Sequence, residues 1–172
     1  LAILEDDFEL IDGSSLDNLV AILDHDQSVG LAGGRLWQGG HWRDFAAHYH
    51  RDGETLCLAP PASPWLFTPR AVKYRTVDLV WNFFVARRAF LQRHPWDEDL
   101  PLYEHHPFFL GIWEDPAELQ SVVFTPHACA KHHRDRPADY RPMRRRDFRH
   151  VLRGKYGFSR TAWRPKPQEV LA

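Results

Sequence analysis

Leu1-Ala2-Ile3-Leu4-Glu5-Asp6-Asp7-Phe8 decides how the rest of the chain is read: an apolar run breaks into three consecutive carboxylates. Such a run reads as a buried strand. Adjacent carboxylates repel one another unless a cation or solvent relieves them. A strand end pins the backbone, so Glu5 and Asp7 are predicted to share one side and Asp6 to take the other. Hard divalent cations such as Mg²⁺ or Mn²⁺ take oxygen ligands of this kind, often together with phosphates. In open α/β sheets, ligands sit beyond the carboxyl ends of strands. A metal–phosphate site is one reading of the trio, and an acidic turn leading into Asp12-Gly13 is the other. The chain also opens inside this core strand. That predicts a missing N-terminal segment, in a longer protein or in a partner chain.

The charge distribution extends the pattern. Formal net charge over the 172 residues is −1, which argues against a dedicated nucleic-acid binder. The balance hides a gradient. Residues 1–34 hold eight acids and no Lys or Arg, whereas residues 131–172 hold thirteen Lys/Arg against four acids. One end suits a cation and the other an anion; solvated faces of opposite sign would look the same. The two cysteines exclude a disulfide scaffold, and no stretch approaches the roughly 20 apolar residues of a membrane span.

Outward from the acidic trio, Ser14 and Asp17 resemble a capping box, and Leu16, Leu19, Val20 and Leu23 follow helical spacing. A helix is predicted over 15–26. Val29 to Leu36 reads as a short buried strand carrying glycines. Residues 37–70 lack sustained periodicity and read as a long loop with room for a hairpin. Arg87 to Arg93 is a short helix ending before Pro95, and Pro107 to Trp113 opens another with Pro in its first turn. Ser121 to Thr125 is a strand, residues 142–155 a basic helix, and the end of the chain an extended tail. Residues 1–158 form the domain and 159–172 the tail.

Three further segments carry chemistry. In Val80-Trp81-Asn82-Phe83-Phe84-Val85-Ala86-Arg87, an amide interrupts an apolar run, and a buried Asn needs hydrogen-bond partners. It fixes a loop or meets a substrate hydroxyl. Glu104-His105-His106-Pro107-Phe108-Phe109 places a carboxylate beside imidazoles at a helix start, the chemistry of a general base or of a surface pair. His127, His132 and His133 precede an Arg-rich stretch that includes Arg144. Imidazole is a metal ligand and Arg suits phosphate; a solvated basic face is the alternative.

Taken in order, these segments resemble the C-terminal part of a glycosyltransferase of the GT-A fold in the large inverting family 2. The likeness is nearest to β-1,4-N-acetylgalactosaminyltransferases of the ganglioside-synthase type and their bacterial relatives. Those proteins carry a strand ending in Asp-Asp-Asp-Phe, a helix and a Val-Gly-Gly strand, matched by Ile3 to Phe8, residues 15–26 and Leu31-Ala32-Gly33-Gly34. Their Val-Asn-Phe-Phe-Leu-Ala-Arg segment matches Val80 to Arg87. A Trp/Phe-Asp-x-x-Leu stretch and a Glu-His-x-x-Phe-Phe stretch match Trp96 to Leu100 and Glu104 to Phe109. A strand with a Pro and a His six residues later matches Pro126 and His132.

The resemblance implies an α/β fold, a mixed sheet flanked by helices, with the N-terminal nucleotide-binding βαβ units missing. It implies a UDP-sugar donor, a glycan or other hydroxyl acceptor, and Mn²⁺ or Mg²⁺ held by Asp7 and His132. Glu5, where the family has Asp, together with Asp6, Gly34 and Arg144, would face the donor. Trp81, Asn82 and His105 would line the sugar and acceptor pocket. The family often places an acid directly before its Phe-Phe pair. This chain has Pro107 there, which leaves Glu104 as the catalytic base or the chain as a weak or inactive enzyme. Bacterial cytoplasm and, for a eukaryote, the Golgi lumen are the compartments such enzymes occupy. Two other classes stand beside this one: a non-catalytic carbohydrate-binding or scaffold domain of the same fold, and a metal-dependent phosphoryl-transfer enzyme or nuclease.

Overall fold

A central strand that tolerates burial on both faces organises the molecule. In a computed structural model of the chain, residues 1–11, 14–100, 105–133 and 149–163 are described. Strand β3 (Val29–Gln38) is buried along its first six residues. It pairs in parallel with β10 (Ser121–His132) and antiparallel with β9 (Phe84–Ala86). Beyond β10 lie β8 (Lys73–Val77) and β7 (Leu66–Phe67); beyond β9 lies β1 (Ala2–Ile3), giving the order β1-β9-β3-β10-β8-β7. Short strands β2 (Phe8–Leu10) and β4 (His41–Arg43) add to β10 and β3. The sheet is therefore mixed, and the chain is α/β.

Alternate side chains of this sheet feed two cores, as period-two strands require. Leu31, Phe84, Ala86, Val122 and Phe124 face one core. Ala32, Val85 and Val123 face the other. Helix α1 (Ser14–His25) covers the second core through Leu19, Ile22 and Leu23. The first is covered by α2 (Arg88–Arg93), by α3 (His105–Trp113) and by a separate sheet ordered β11-β6-β5. Trp96 stacks on Phe108 at 4.5 Å and Phe108 on Phe84 at 5.9 Å, so the Phe-Phe pair belongs to the core.

Glycines in β3 are places of close approach. A Cβ at Gly34 would lie 2.5 Å from the Ala128 carbonyl oxygen and 2.5 Å from the Phe83 ring. Gly34 also donates its N–H to Phe83 at 3.0 Å, which ties the segment before β9 to β3.

Several expectations need correction. Leu1 to Leu4 is not a buried strand. Only Ala2 and Ile3 are strand, at the sheet edge; Leu1 exchanges backbone hydrogen bonds with Ala86 yet is 63% exposed, because its one neighbour is β9. Residues 37–70 are not a long loop. Gly39-Gly40, both at positive φ, turn β3 into β4, and Gly53 at φ 56 turns β5 (His48–Asp52) into β6 (Thr55–Ala59). Both connections are two-residue hairpin turns of the glycine-dependent kind. Residues 160–163, expected to begin the tail, form β11 (Arg160–Trp163) in parallel with β6. Of the basic helix expected over 142–155, the described part is α4 (Arg149–Tyr156).

Candidate metal centre

The acidic trio sits in a turn. The Phe8 N–H donates to the Glu5 carbonyl at 3.1 Å, reversing the chain after β1 so that β2 runs back along β10. Phe8 registers with His132, and the His133 N–H donates to the Asp7 carbonyl at 2.9 Å. Asp7 is thereby set against the end of β10, with Oδ2 3.0 Å from His132 Nε2. One ligand atom from each of Glu5, Asp7 and His132 falls within 4.8 Å of the others. Asp6 is exposed. Glu5 and Asp7, expected to share one side, are brought together with His132 by a turn rather than by strand alternation.

These residues fit a divalent cation. Asp7 Oδ1 is buried and has no hydrogen-bond partner among the described residues. An orphaned buried acceptor costs about 1–3 kcal/mol, and more when charged. Two carboxylates and one imidazole form a hard, oxygen-rich donor set suited to Mg²⁺ or Mn²⁺, with positions left for phosphate oxygens. The 4.8 Å spread exceeds by about half an ångström the roughly 4.2 Å between opposite ligands of an ion with bonds of about 2.1 Å. Binding such an ion requires the ligand atoms to draw together by that amount.

Beside the group stands an aromatic and imidazole wall. His105 Nε2 lies 3.7 Å from Glu5 Oε1. Burial, and secondarily the charge of His106, pushes His105 down to about 4, so the ring is neutral at pH 7 and this contact is not an ion pair. Burial likewise pushes His106 down to about 4. Its Nδ1 lies 3.2 Å from the hydroxyl of Tyr49, a phenol that burial, and then Asp78, holds well above its ordinary pKa. Phe45 is the hub of the wall: Trp81 lies 4.5 Å away, His106 6.2 Å, and His105 and Trp163 6.3 Å each. Trp81 Nε1 donates to the Arg43 carbonyl, which anchors the β4 hairpin against this wall.

Of the residues singled out in the sequence, Glu5, Asp7, His132, His105 and Trp81 come together. His133 turns aside to Glu9, 2.7 Å away. Asn82 is 5% exposed, with Oδ1 buried and unpartnered among the described residues. Gly34 is corrected from donor contact to packing, since Phe83 and the β10 backbone cover it. Glu104 and Arg144 lie outside the described residues. Arg87, part of the motif, instead serves the scaffold. Its guanidinium donates to the carbonyls of Leu23, Val29 (2.8 Å) and Asp26 (3.2 Å), at and just beyond the C-terminus of α1.

Phe45, Trp163 and Gln38 were missed. Phe45 fell in the stretch read as a loop and Trp163 in the tail. Gln38 carries no signal in one dimension. No protein-family model, no curated protein and no solved structure matches this chain.

Proposed function

We propose that this chain is the metal- and acceptor-side part of an inverting glycosyltransferase with a GT-A fold, acting on a UDP-sugar donor and a hydroxyl acceptor such as a glycan. One observation carries the proposal. Segments matched to that family in sequence, at residues 3–8, 80–87, 104–109 and 126–132, contain Glu5, Asp7, Trp81, His105 and His132, which lie together. Glu5, Asp7 and His132 would hold Mn²⁺ or Mg²⁺, which when bound neutralises charge developing on a departing diphosphate. The wall of Phe45, Trp81 and His105 offers apolar faces beside that charge, a surface suited to sugar rings.

Glu104 is the base in this proposal, since Pro107 takes the place of the family's acid and Glu104 is the nearest acid before the Phe-Phe pair in the sequence. Its carboxylate would take the proton of the acceptor hydroxyl as that oxygen attacks the anomeric carbon. Arg144 would face the diphosphate. Pro107 favours a second reading, a carbohydrate-binding domain without turnover. It is buried in the first turn of α3, in the position where the family often places an acid.

A panel of nucleotide sugars, assayed for transfer and hydrolysis with Mn²⁺ and with chelator, tests the proposal. Mn²⁺-dependent turnover of a UDP-sugar that Asp7→Ala abolishes is the expected result. Turnover unaffected by Asp7→Ala would remove the metal assignment. Sugar binding without turnover would select the second reading.

A further inference from the structure

Gln38 closes β3. The parallel register that pairs Trp37 with Lys131 carries on to set Gln38 beside His132. Gln38 Nε2 lies 2.5 Å from His132 Nδ1, while His132 Nε2 lies 3.0 Å from Asp7 Oδ2. Phe8 meets the imidazole edge-on at 5.2 Å. The ring is thus held on three sides, and its two nitrogens face different partners.

Those partners distinguish the two tautomers. An amide N–H donates, so Nδ1 receives it with a lone pair. In the tautomer that fits this amide orientation, the ring proton sits on Nε2 and faces Asp7 Oδ2. In that state Nε2 has no lone pair for a cation. A histidine that ligates through Nε2 carries its proton on Nδ1 and needs an acceptor there. Gln38 can serve both states, because half a turn of its amide exchanges Nε2 for Oε1. Neither Asn, too short, nor a residue that only donates could do so from this place in the strand.

We propose that Gln38 is a positioning residue: the orientation of its amide selects the tautomer of His132 and so governs whether His132 Nε2 is open to a cation shared with Glu5 and Asp7. The inference rests on the cation reading above. It adds a residue outside the ligand set, with a role that simple space filling does not reproduce.

The test is ¹⁵N-histidine NMR of the protein at pH 8, metal-free and with saturating Mg²⁺, alongside Mn²⁺ titrations of wild type, Q38E and Q38L. Metal-free wild type should carry the His132 proton on Nε2, and Mg²⁺ should move it to Nδ1. Q38E, which can only accept, should place a proton on Nδ1 without metal and bind Mn²⁺ at least as tightly as wild type. Q38L should bind Mn²⁺ about 10- to 100-fold more weakly. An Nδ1 proton in metal-free wild type, or equal weakening by both variants, overturns the role of Gln38 and leaves the cation site standing. Failure of wild type to bind Mn²⁺ sinks the cation reading instead. The metal-free proton position in wild type against Q38E then still decides whether Gln38 sets the tautomer.

Discussion

Replacing Asp7 with Asn separates a cation ligand from a structural partner of His132, because the two roles predict opposite changes in stability. Without metal, the carboxylates of Glu5 and Asp7 stand within 4.8 Å of each other. Their repulsion at that distance is about 0.9 kcal/mol in the dielectric of water and about 3.5 kcal/mol at an effective dielectric of 20. Both side chains keep roughly a third of their surface in solvent, 34% for Glu5 and 28% for Asp7, so the lower figure is nearer. Asp7→Asn removes that repulsion and the orphaned anionic Oδ1. It keeps an oxygen that accepts from His132, a bond weaker by about 0.5–1 kcal/mol for the lost charge. In chelator the variant should therefore match wild type or exceed it by up to about 1 kcal/mol. With Mn²⁺ at a hundred times its dissociation constant, wild type gains about 2.7 kcal/mol and the variant close to nothing. For a chain of this length that gain is about 5–10 °C in Tm. Differential scanning fluorimetry of both proteins, in EDTA and across a Mn²⁺ series, reads the crossing directly. Parallel curves for the two proteins would refute the cation site. A loss of several kcal/mol by the variant already in EDTA would make Asp7 a structural partner of His132 instead.

Two further perturbations address the scaffold. Arg87→Ala should lower stability by about 2–3 kcal/mol, because it withdraws one charged donor from three carbonyls at and just beyond the C-terminus of α1. Urea unfolding should show a lower midpoint at unchanged slope, with Arg87→Lys recovering only part, since an ammonium cannot span all three. The buried pair at the end of α2 gives a pH signature. Burial opposes ionisation of Glu118, yet hydrogen bonds from His94, the Gln120 N–H and Arg93 outweigh it and hold the carboxyl at about 2. A carboxyl depressed in the folded state stabilises fully above its unfolded pKa near 4.5 and loses that contribution as pH falls through about 2. Stability of wild type should thus fall by roughly 2–3 kcal/mol across that window. Glu118→Gln should flatten this part of the acid unfolding profile; an unchanged profile would show that Glu118 does not set it.

The readable parts of the fold are those where one face or one run speaks for itself. The spacing of Leu16, Leu19, Val20 and Leu23 gives α1, although Val20 is left exposed, and the buried run of β3 gives the centre of the sheet. The region from 37 to 70 misled because its strands are not amphipathic in the ordinary way. β6 is buried along all five residues, between β5 and β11, while β4 is exposed along all three. Neither gives an alternating pattern. The legible signals there were local ones, Gly39-Gly40 and Gly53-Glu54, two-residue turns whose glycines take positive φ. β11 was hidden for another reason. A four-residue strand that pairs with β6 across about a hundred residues has no periodicity of its own to detect.

The candidate site shows the deeper limit of one-dimensional reading. Asp7 and His132 are 125 positions apart, and their meeting depends on register. β10 and β3 pair one-to-one from Val122 to Phe124, opposite Leu31 to Gly33. Continued without interruption, that register would bring Cys129 opposite Gln38. Instead β10 takes five residues from Phe124 to Cys129 while β3 takes two from Gly33 to Arg35. The three extra residues advance the strand until His132 reaches Gln38, Phe8 and Asp7. Side chains of α1 hold this irregularity. Ser15 Oγ donates to the Cys129 carbonyl at 3.0 Å and accepts the Cys129 N–H at 2.9 Å; Asn18 Nδ2 donates to the His127 carbonyl at 2.7 Å. A bulge that re-aims a side chain is a recurring device next to functional sites. Here the helix that follows the acidic turn also fixes the register that delivers the histidine to it. The polar residues at the start of α1 are therefore as much a part of the site as its ligands, although nothing in their own spacing says so.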